Sequence, residues 1–222
     1  MVSKERVSAL NFRRNIETIV VQFDANPRPL ATSSFDQIVL GSFMELRKKV
    51  FGDGRGWRVW LTCKSDLDQY DQLDTHYVVA FESSTGRAVA GARLLRTDRS
   101  VSCGSSTLSY MVRDASHGKL PGLPCDLCYD AAPCDSSIWE LTRFVSDGSP
   151  GAGALVLAAV RSFLIECNAQ KFIFLSAPAV SRFARPAGFE NVKPLGPLRG
   201  ERGERYRVFS ADVPSRSMKG RT

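Results

Sequence analysis

The stretch SSIWELTRFVSD, residues 136–147, has the apolar and β-branched content of a strand, yet Glu140 and Arg143 sit in its middle. Charged side chains are seldom buried without partners, because stripping water from each ion costs several kcal/mol. These charges are either ordinary surface charges and ion pairs or members of one polar site beside the sheet. Alternation places Ile138, Glu140, Thr142 and Phe144 on one face, and Trp139, Leu141, Arg143 and Val145 on the other. Glu140 and Arg143 then share a face only if a bulge interrupts the pattern. The chain offers partners in DLDQYD, with Asp68 and Asp71, and in GARLLRT, with Arg93 and Arg96.

The other segments supply elements around such a strand. ETIVVQF (17–23) is β-branched and reads as a first strand. In 31–51 apolar residues recur at Phe35, Ile38, Val39, Phe43, Leu46 and Val50, which is helical spacing, with Ser33 or Ser34 placed as N-cap. Residues 52–67 open on glycines and read as a long loop. THYVVAFE and RAVAGARLLRT flank SSTG as a hairpin. A helix is expected within 104–117, and the proline- and glycine-bearing 118–135 reads as loop. Helix 151–169 follows the charged strand. Strand KFIFLSA, a short helix over 179–189 and strand RYRVFSADV close the series. The order predicts an α/β (α+β) fold, a mixed central sheet flanked by helices on both faces. The 222 residues are read as one domain over 1–213 and a polar, frayed tail over 214–222.

Bulk properties narrow the class. No run of about 18 apolar residues occurs, so no membrane span is expected. MVSKERVSALNFRRN lacks the apolar core of a signal peptide, and a cytoplasmic location follows. Six cysteines do not suggest a secreted disulfide scaffold at this length, and the thiols are expected to stay reduced. The net charge of +7 permits nucleic acid, an anionic membrane or an acidic protein as partner, or is a merely solvated basic face. A nucleic-acid module would interleave aromatic residues with a basic stripe; none is visible, and no nucleic acid is expected as partner.

The charged positions fall in a recognisable series. MELRKKVFGDGRGW carries Arg47, Phe51 and Trp57, and DLDQYDQLDTHYVV carries Asp68 and Asp71. GARLLRT carries Arg93, and WELTRF carries Glu140 and Arg143. Any one piece is weak. Together, in order and at compatible spacing, they resemble the acyl-homoserine-lactone synthases, the autoinducer synthases of the LuxI type. The resemblance runs from about residue 43 to residue 196 and includes RFARPAGFENVKPLG. It implies a fold similar to the GNAT acyltransferases. It also implies an enzyme that acylates the amine of S-adenosylmethionine from an acyl thioester. The substrate's carboxylate then displaces methylthioadenosine and closes a lactone used as a quorum-sensing signal. Acyl carrier protein or acyl-CoA is the implied donor. S-adenosylmethionine and the thioester are substrates, with no separate cofactor and no metal.

The implied roles suit the residue types. An α-ammonium, which ordinarily titrates near pH 8, must lose a proton before it attacks a thioester. Glu140 is the implied base. A backbone N–H at a strand bulge would hold the oxyanion. Asp68, Asp71, Arg93 and Arg143 would build a charged wall around the substrate. Arg47, Phe51, Trp57 and Thr142 would bind S-adenosylmethionine and the N-terminal lid, Trp57 by stacking or a cation–π contact. Phe144, Val145, Leu157, Phe174 and Leu175 would line an acyl tunnel, or equally form plain core. Ser176 sits near the place where the family reads the acyl 3-position.

Some stretches depart from the pattern. Arg96 stands where the family commonly has proline. Cys125, Cys128 and Cys134, with Cys103 and His117 nearby, give only one C-x2-C pair, so a thiol-bearing loop is expected rather than a zinc site. Gly151 and Gly153 match the G-x-G part of a pyrophosphate cradle at a helix N-terminus, while Gly148 stands where glutamine or arginine would. A CoA-dependent N-acyltransferase acting on another amine is the alternative.

Overall fold

The computed structural model describes residues 15–22, 34–53, 67–72, 74–103, 106–200 and 204–215. Among these, strands β1 (Ile16–Gln22), β2 (His76–Glu82), β3 (Ala88–Arg96), β6 (Ile138–Ser146), β7 (Lys171–Ser176), β8 (Glu190–Pro194) and β9 (Arg207–Asp212) form one sheet. The strand order is β1-β2-β3-β6-β7-β9-β8. Every neighbouring pair is antiparallel except β6 with β7. A second, two-stranded ribbon pairs β4 (Val101–Cys103) with β5 (Ser106–Leu108).

Helices cover both faces. Helix α1 (Ser34–Arg47) lays Val39 and Phe43 against Tyr77, Val79 and Val145. Helix α3 (Ala152–Glu166) packs Val156, Val160 and Leu164 on the opposite face, with Val78, Leu94, Trp139 and Phe172. A third cluster, around Tyr70, Leu95, Tyr110, Leu127 and Ile173, lies under the short helix α2 (Met111–Ser116). Strand β3 is buried at every residue but its last, as a central strand covered on both sides must be. This is the mixed, helix-flanked sheet that the residue pattern predicts.

Several local expectations need correction. Helix α1 does not simply end near residue 51 but widens into a π-helical turn, Lys48–Asp53. Such turns recur at functional sites because they redirect side chains. Of the helix expected within 104–117, the described residues are helical only over Met111–Ser116, and part of the remainder is β5. The helix expected over 179–189 is a 3-10 turn, Val180–Phe183. Pro186 lacks an N–H for further helical bonding, and Gly188 has φ of 87°. Strand β8 has no counterpart in the sequence pattern, because ENVKP has no apolar alternation. Ser33, Trp57, most of the 52–67 loop and the tail from residue 216 lie outside the described residues.

The decisive irregularity is in β6. Its register with β3 steps from Thr142↔Arg93 to Val145↔Gly91, so two residues of β6 oppose Ala92 alone. Arg143 has φ of 54°, in the left-handed region. This is a β-bulge, and it reverses the phase of the strand beyond it. Val145 joins the α1 face, whereas Phe144 packs toward α3. The strict alternation expected for residues 138–145 therefore fails after Thr142, and Arg143 arrives on the side of Glu140.

Gly91 shows how tightly α1 sits. A Cβ there would lie 2.5 Å from the Phe43 ring and 3.0 Å from the Val78 carbonyl oxygen. Gly91→Ala should destabilise the protein by about 1–3 kcal/mol, the usual range for overpacking. Denaturant unfolding would check this; an unchanged midpoint would contradict such close packing.

Candidate active site

The bulge and the π-helical turn bring the charged positions together. Arg47, at the end of α1, donates to both oxygens of Asp71 at 2.9 and 3.0 Å. Arg93 on β3 donates from Nη1 to Asp68 at 2.6 Å and to Asp71 at 2.8 Å. Arg143 donates from Nε and Nη2 to Asp68 Oδ2 at 3.1 and 2.6 Å. The aspartates lie in segment 67–72, which is shaped by their own acceptor oxygens. The Asp68 N–H donates to Asp71 at 2.7 Å, and the Tyr70 N–H to Asp68 at 2.8 Å. The Tyr77 hydroxyl adds a 2.6 Å bond to Asp71.

This lattice is almost closed to solvent, with side-chain exposure between 0% and 6% for its ionic members. Burial alone would raise both aspartate pKa values. The Arg93 charge, with Arg143 at Asp68 and Arg47 at Asp71, outweighs burial and holds both carboxyls below their ordinary range. Phe51, carried by the π-helical turn, lies under the Arg143 guanidinium with its ring centre 4.9 Å from Cζ. That contact ties the end of α1 to the bulge. Thr142 is buried and pairs in register with Arg93.

Glu140 takes a different route. It is fully buried, and its two oxygens accept the backbone N–H groups of Met111 and Val112, both at 2.9 Å. Those groups open α2, whose first N–H donors have no partner within the helix. Burial raises the Glu140 pKa to about 7, against the lowering effect of these two N–H groups and Arg93. Helix α2 also connects to the lattice. Buried Asp114 accepts from the Tyr70 hydroxyl at 3.1 Å, and Tyr70 donates its own N–H to Asp68.

The structure thus gathers Arg47, Phe51, Asp68, Asp71, Arg93, Glu140, Thr142 and Arg143 on one side of the sheet. Trp57 lies outside the described residues. Arg96 is not part of the group; it pairs with Asp98 at 2.8 Å. The residues expected to line an acyl tunnel are not brought together. Phe144, Leu157 and Phe174 pack with α3, Val145 with α1, and Leu175 under α2, while Ser176 ends β7. Tyr77, Tyr70 and Asp114 join the site without a motif that singles them out in the sequence. The one available signal is the tyrosines themselves, since a buried phenol needs a hydrogen-bond partner.

Two further features border the site. Strands β6 and β7 pair only from Ile138↔Lys171 to Leu141↔Phe174, so beyond Leu141 the β6 edge has parted from β7. The N-terminus of α3 follows, with Gly151 at φ of 78°. Gly153 has a packing reason to be glycine: a Cβ would lie 3.3 Å from the Phe144 ring. In the 118–135 segment, Cys125 and Cys134 are exposed free thiols and Cys128 is a half-buried one.

Opposed ionisations give a pH signature. The depressed aspartates contribute stability that is present above about pH 3.8 and lost as pH falls through their lower folded values. Glu140 acts in the opposite sense: its raised pKa means stability falls as pH rises from about 4.5 to about 7. That loss should be on the order of 3 kcal/mol. Denaturant unfolding across this window should show the decline in the native chain and its absence in Glu140→Gln. Separately, Asp71→Ala leaves Arg47 and Arg93 without their shared counter-charge and should cost about 3–5 kcal/mol, read from the same unfolding curves.

Comparison with known proteins finds chains similar to this one. Residues 33–113 match the family model described as autoinducer synthase, a span that includes Arg47, Phe51, Asp68, Asp71 and Arg93. The acyl-homoserine-lactone synthase of Acinetobacter nosocomialis is 29% identical over 170 residues, covering 71% of this chain and 83% of the relative. Among solved structures, TofI in a ternary complex with an inhibitor and MTA superposes with a TM-score of 0.66 at 24% identity, over 91% of this chain and 94% of that one. BjaI, a CoA-dependent acyl-homoserine lactone synthase solved with SAM and isopentyl-CoA, gives a TM-score of 0.66 at 22% identity, over 90% and 84%. The GNAT-like fold is shared with these structures, and over residues 33–113 the chain is similar to the autoinducer synthase family.

Proposed function

We propose that this chain is an N-acyl-homoserine-lactone synthase, an acyltransferase that joins an acyl thioester to S-adenosylmethionine and releases methylthioadenosine. The observation that carries this reading is a nearly neutral-poised Glu140 beside the closed lattice of Asp68, Asp71, Arg47, Arg93 and Arg143. The matching family and the ligands named for TofI and BjaI support it.

The chemistry can be assigned to the chain's own groups. A base with a pKa of about 7 is matched to removing a proton from an α-ammonium near pH 8. Each Glu140 oxygen uses one lone pair on an α2 N–H, and a carboxylate oxygen has a second. The free amine then attacks the thioester carbonyl. At the bulge, backbone groups of Arg143 and Phe144 leave the ladder with β3, and their N–H donors suit the oxyanion that forms. The thiolate leaves with the proton balance restored through Glu140. The substrate's carboxylate next attacks the carbon bearing the sulfonium, a step that needs positioning more than acid–base help. The lattice keeps segment 67–72, β3, β6 and α1 in fixed relation, so the pocket is built before substrate arrives.

The donor's extended arm suits the open β6 edge, because an edge strand has unpaired N–H and C=O groups for an amide-bearing chain. Carrier protein and coenzyme A share such an arm, and both remain donors in this reading. The acyl chain belongs on the Glu140 side, against the cluster of Leu95, Tyr110, Leu127, Ile173 and Leu175. Of the residues that the sequence pattern suggests for it, only Leu175 has that position. A cytoplasmic location is part of the same reading, since its substrates are intracellular metabolites. Among the described residues no helix is long and apolar enough to cross a membrane.

The defining experiment is methylthioadenosine release by the purified chain with acyl-carrier and acyl-CoA panels, with mass spectrometry for the homoserine-lactone fragment. No lactone with any donor, but acylation of a different amine from acyl-CoA, would replace this reading with a general N-acyltransferase. Glu140→Gln should lower turnover by about 10²–10⁴-fold. The native pH–rate profile should rise through about pH 7 as Glu140 ionises, and the variant should lack that limb. Leu175→Trp should shift the product profile toward shorter acyl groups; an unaltered profile would place the acyl chain elsewhere.

A further inference from the structure

Helix α2 also borders two adjoining cavities outside the ionic lattice, and both share Arg113 and His117. The smaller, about 200 Å³, lies between the β4–β5 ribbon and α2, with Arg99, Lys119 and the hydroxyl residues Ser100, Thr107 and Ser109 on its walls. The larger, about 340 Å³, is walled by Ser116, Cys125, Cys128, Ala131 and Ala132, with exposed Asp130 also on its wall.

The charges of the smaller cavity do not cancel. Asp98 is held by Arg96 through two bonds of 3.0 and 2.8 Å. Asp114 accepts from the Tyr70 hydroxyl, the Ser109 N–H and Lys119. Neither carboxylate is paired with Arg99 or Arg113, and among the described residues no carboxylate forms a salt bridge with either guanidinium. Arg113 is half-buried, where an unpaired guanidinium is costly. We propose that this double cavity binds a small phosphate-bearing ligand, its phosphate between Arg99 and Arg113 and its organic part in the larger chamber.

The chemistry favours phosphate. A guanidinium is a flat fork of N–H donors that matches phosphate oxygens in pairs, and hydroxyl groups around it complete the acceptor shell. The larger chamber offers Ala131, Ala132 and two thiols to a compact organic group, with Asp130 at its exposed side. Burial pushes the Cys128 thiol up to about 11, with Glu140 and Asp130 adding to it, so it stays an uncharged thiol there. Occupancy would be felt at the reaction centre through α2. Val112 holds Glu140 by its N–H, Asp114 holds Tyr70, and Arg113 lies between them in the same turn. Phosphate binding itself uses no step of acyl transfer, so its titration stands apart from the proposed function and only the kinetic comparison rests on it.

The test is isothermal titration of inorganic phosphate into the full chain at about 0.15 M chloride, which screens loose surface binding. Saturable binding is expected, weakened tenfold or more in Arg113→Gln and partly recovered in Arg113→Lys. Arg182→Gln, an arginine outside the cavity, should bind as the native chain does, and thermal unfolding would confirm that every variant is folded. Steady-state kinetics then separate two sources of the phosphate. Phosphate that competes with the acyl donor, with Arg113→Gln raising the donor KM at unchanged kcat, identifies the donor's own phosphate. Phosphate that binds without competing identifies an independent small ligand. Absence of saturable binding, or native-like binding in Arg113→Gln, overturns the proposal.

Discussion

Two aspartates shared among three arginines, with almost no access to water, hold the functional half of this molecule together. The elements they join are distant in sequence: the end of α1, segment 67–72, β3 and β6. No apolar contact specifies their relation so closely, because carboxylate and guanidinium meet only in defined geometry. A buried ion pair is weak evidence of net stability, since desolvation offsets much of its attraction. Its value here is arrangement. Any member left alone would be an uncompensated buried charge, so the segments are placed together or not at all. The proposed reaction, in which charge moves between amine, thioester and sulfonium, would benefit from such fixed dipoles, which need no reorganisation as it proceeds.

The bulge in β6 makes that arrangement possible. In a regular strand, Arg143 would point toward α3, into a cluster of apolar residues, and Phe144 would point into the charged site. The left-handed conformation of Arg143 exchanges them. The arginine reaches Asp68 and stacks over Phe51, while the phenylalanine fills the space that Gly153 leaves at the start of α3. One irregular residue therefore serves the ion lattice, the packing of α3 and the release of backbone N–H groups beside the parted β6–β7 edge.

Much of this is legible in the sequence. A strand holding Glu140 and Arg143 has to meet partners, and DLDQYD and GARLLRT are the right segments: DLDQYD supplies Asp68 to Arg143, and GARLLRT supplies Arg93 to the same aspartate. The mixed sheet and its two main helices follow from periodicity. What is not legible shares a cause. Glu140 is answered by backbone N–H groups, and these have no residue signature. The phase shift at Arg143 depends on a local conformation that glycine would advertise and arginine does not. The acyl lining expected from apolar residues near the site in sequence is divided between clusters, because neighbouring residues of a strand face opposite sides. Phe174 and Leu175 consequently belong to different clusters. Strand β8 has too few apolar residues to show a period and is set by pairing with β9.

Helix α2 links these parts. Six residues cannot sustain a helix in water, because nucleation costs more than one turn of hydrogen bonds returns. Its position must come from outside: from Glu140 at its N-terminal N–H groups, from Asp114 to Tyr70 and Ser109, and from the apolar contacts of Val112 and Ala115. Ionised Glu140 strengthens the first of these, since a carboxylate accepts an N–H bond about twice as strongly as a neutral group does. Protonation turns one oxygen into a hydroxyl and weakens that bond, while it removes the larger cost of burying the charge. The state of the base and the seating of α2 are therefore one equilibrium. Asp114 in turn accepts from Tyr70, whose N–H donates to Asp68, so a run of hydrogen bonds joins α2 to the ion lattice. The carboxylate proposed as the base is also the group that holds the first turn of α2.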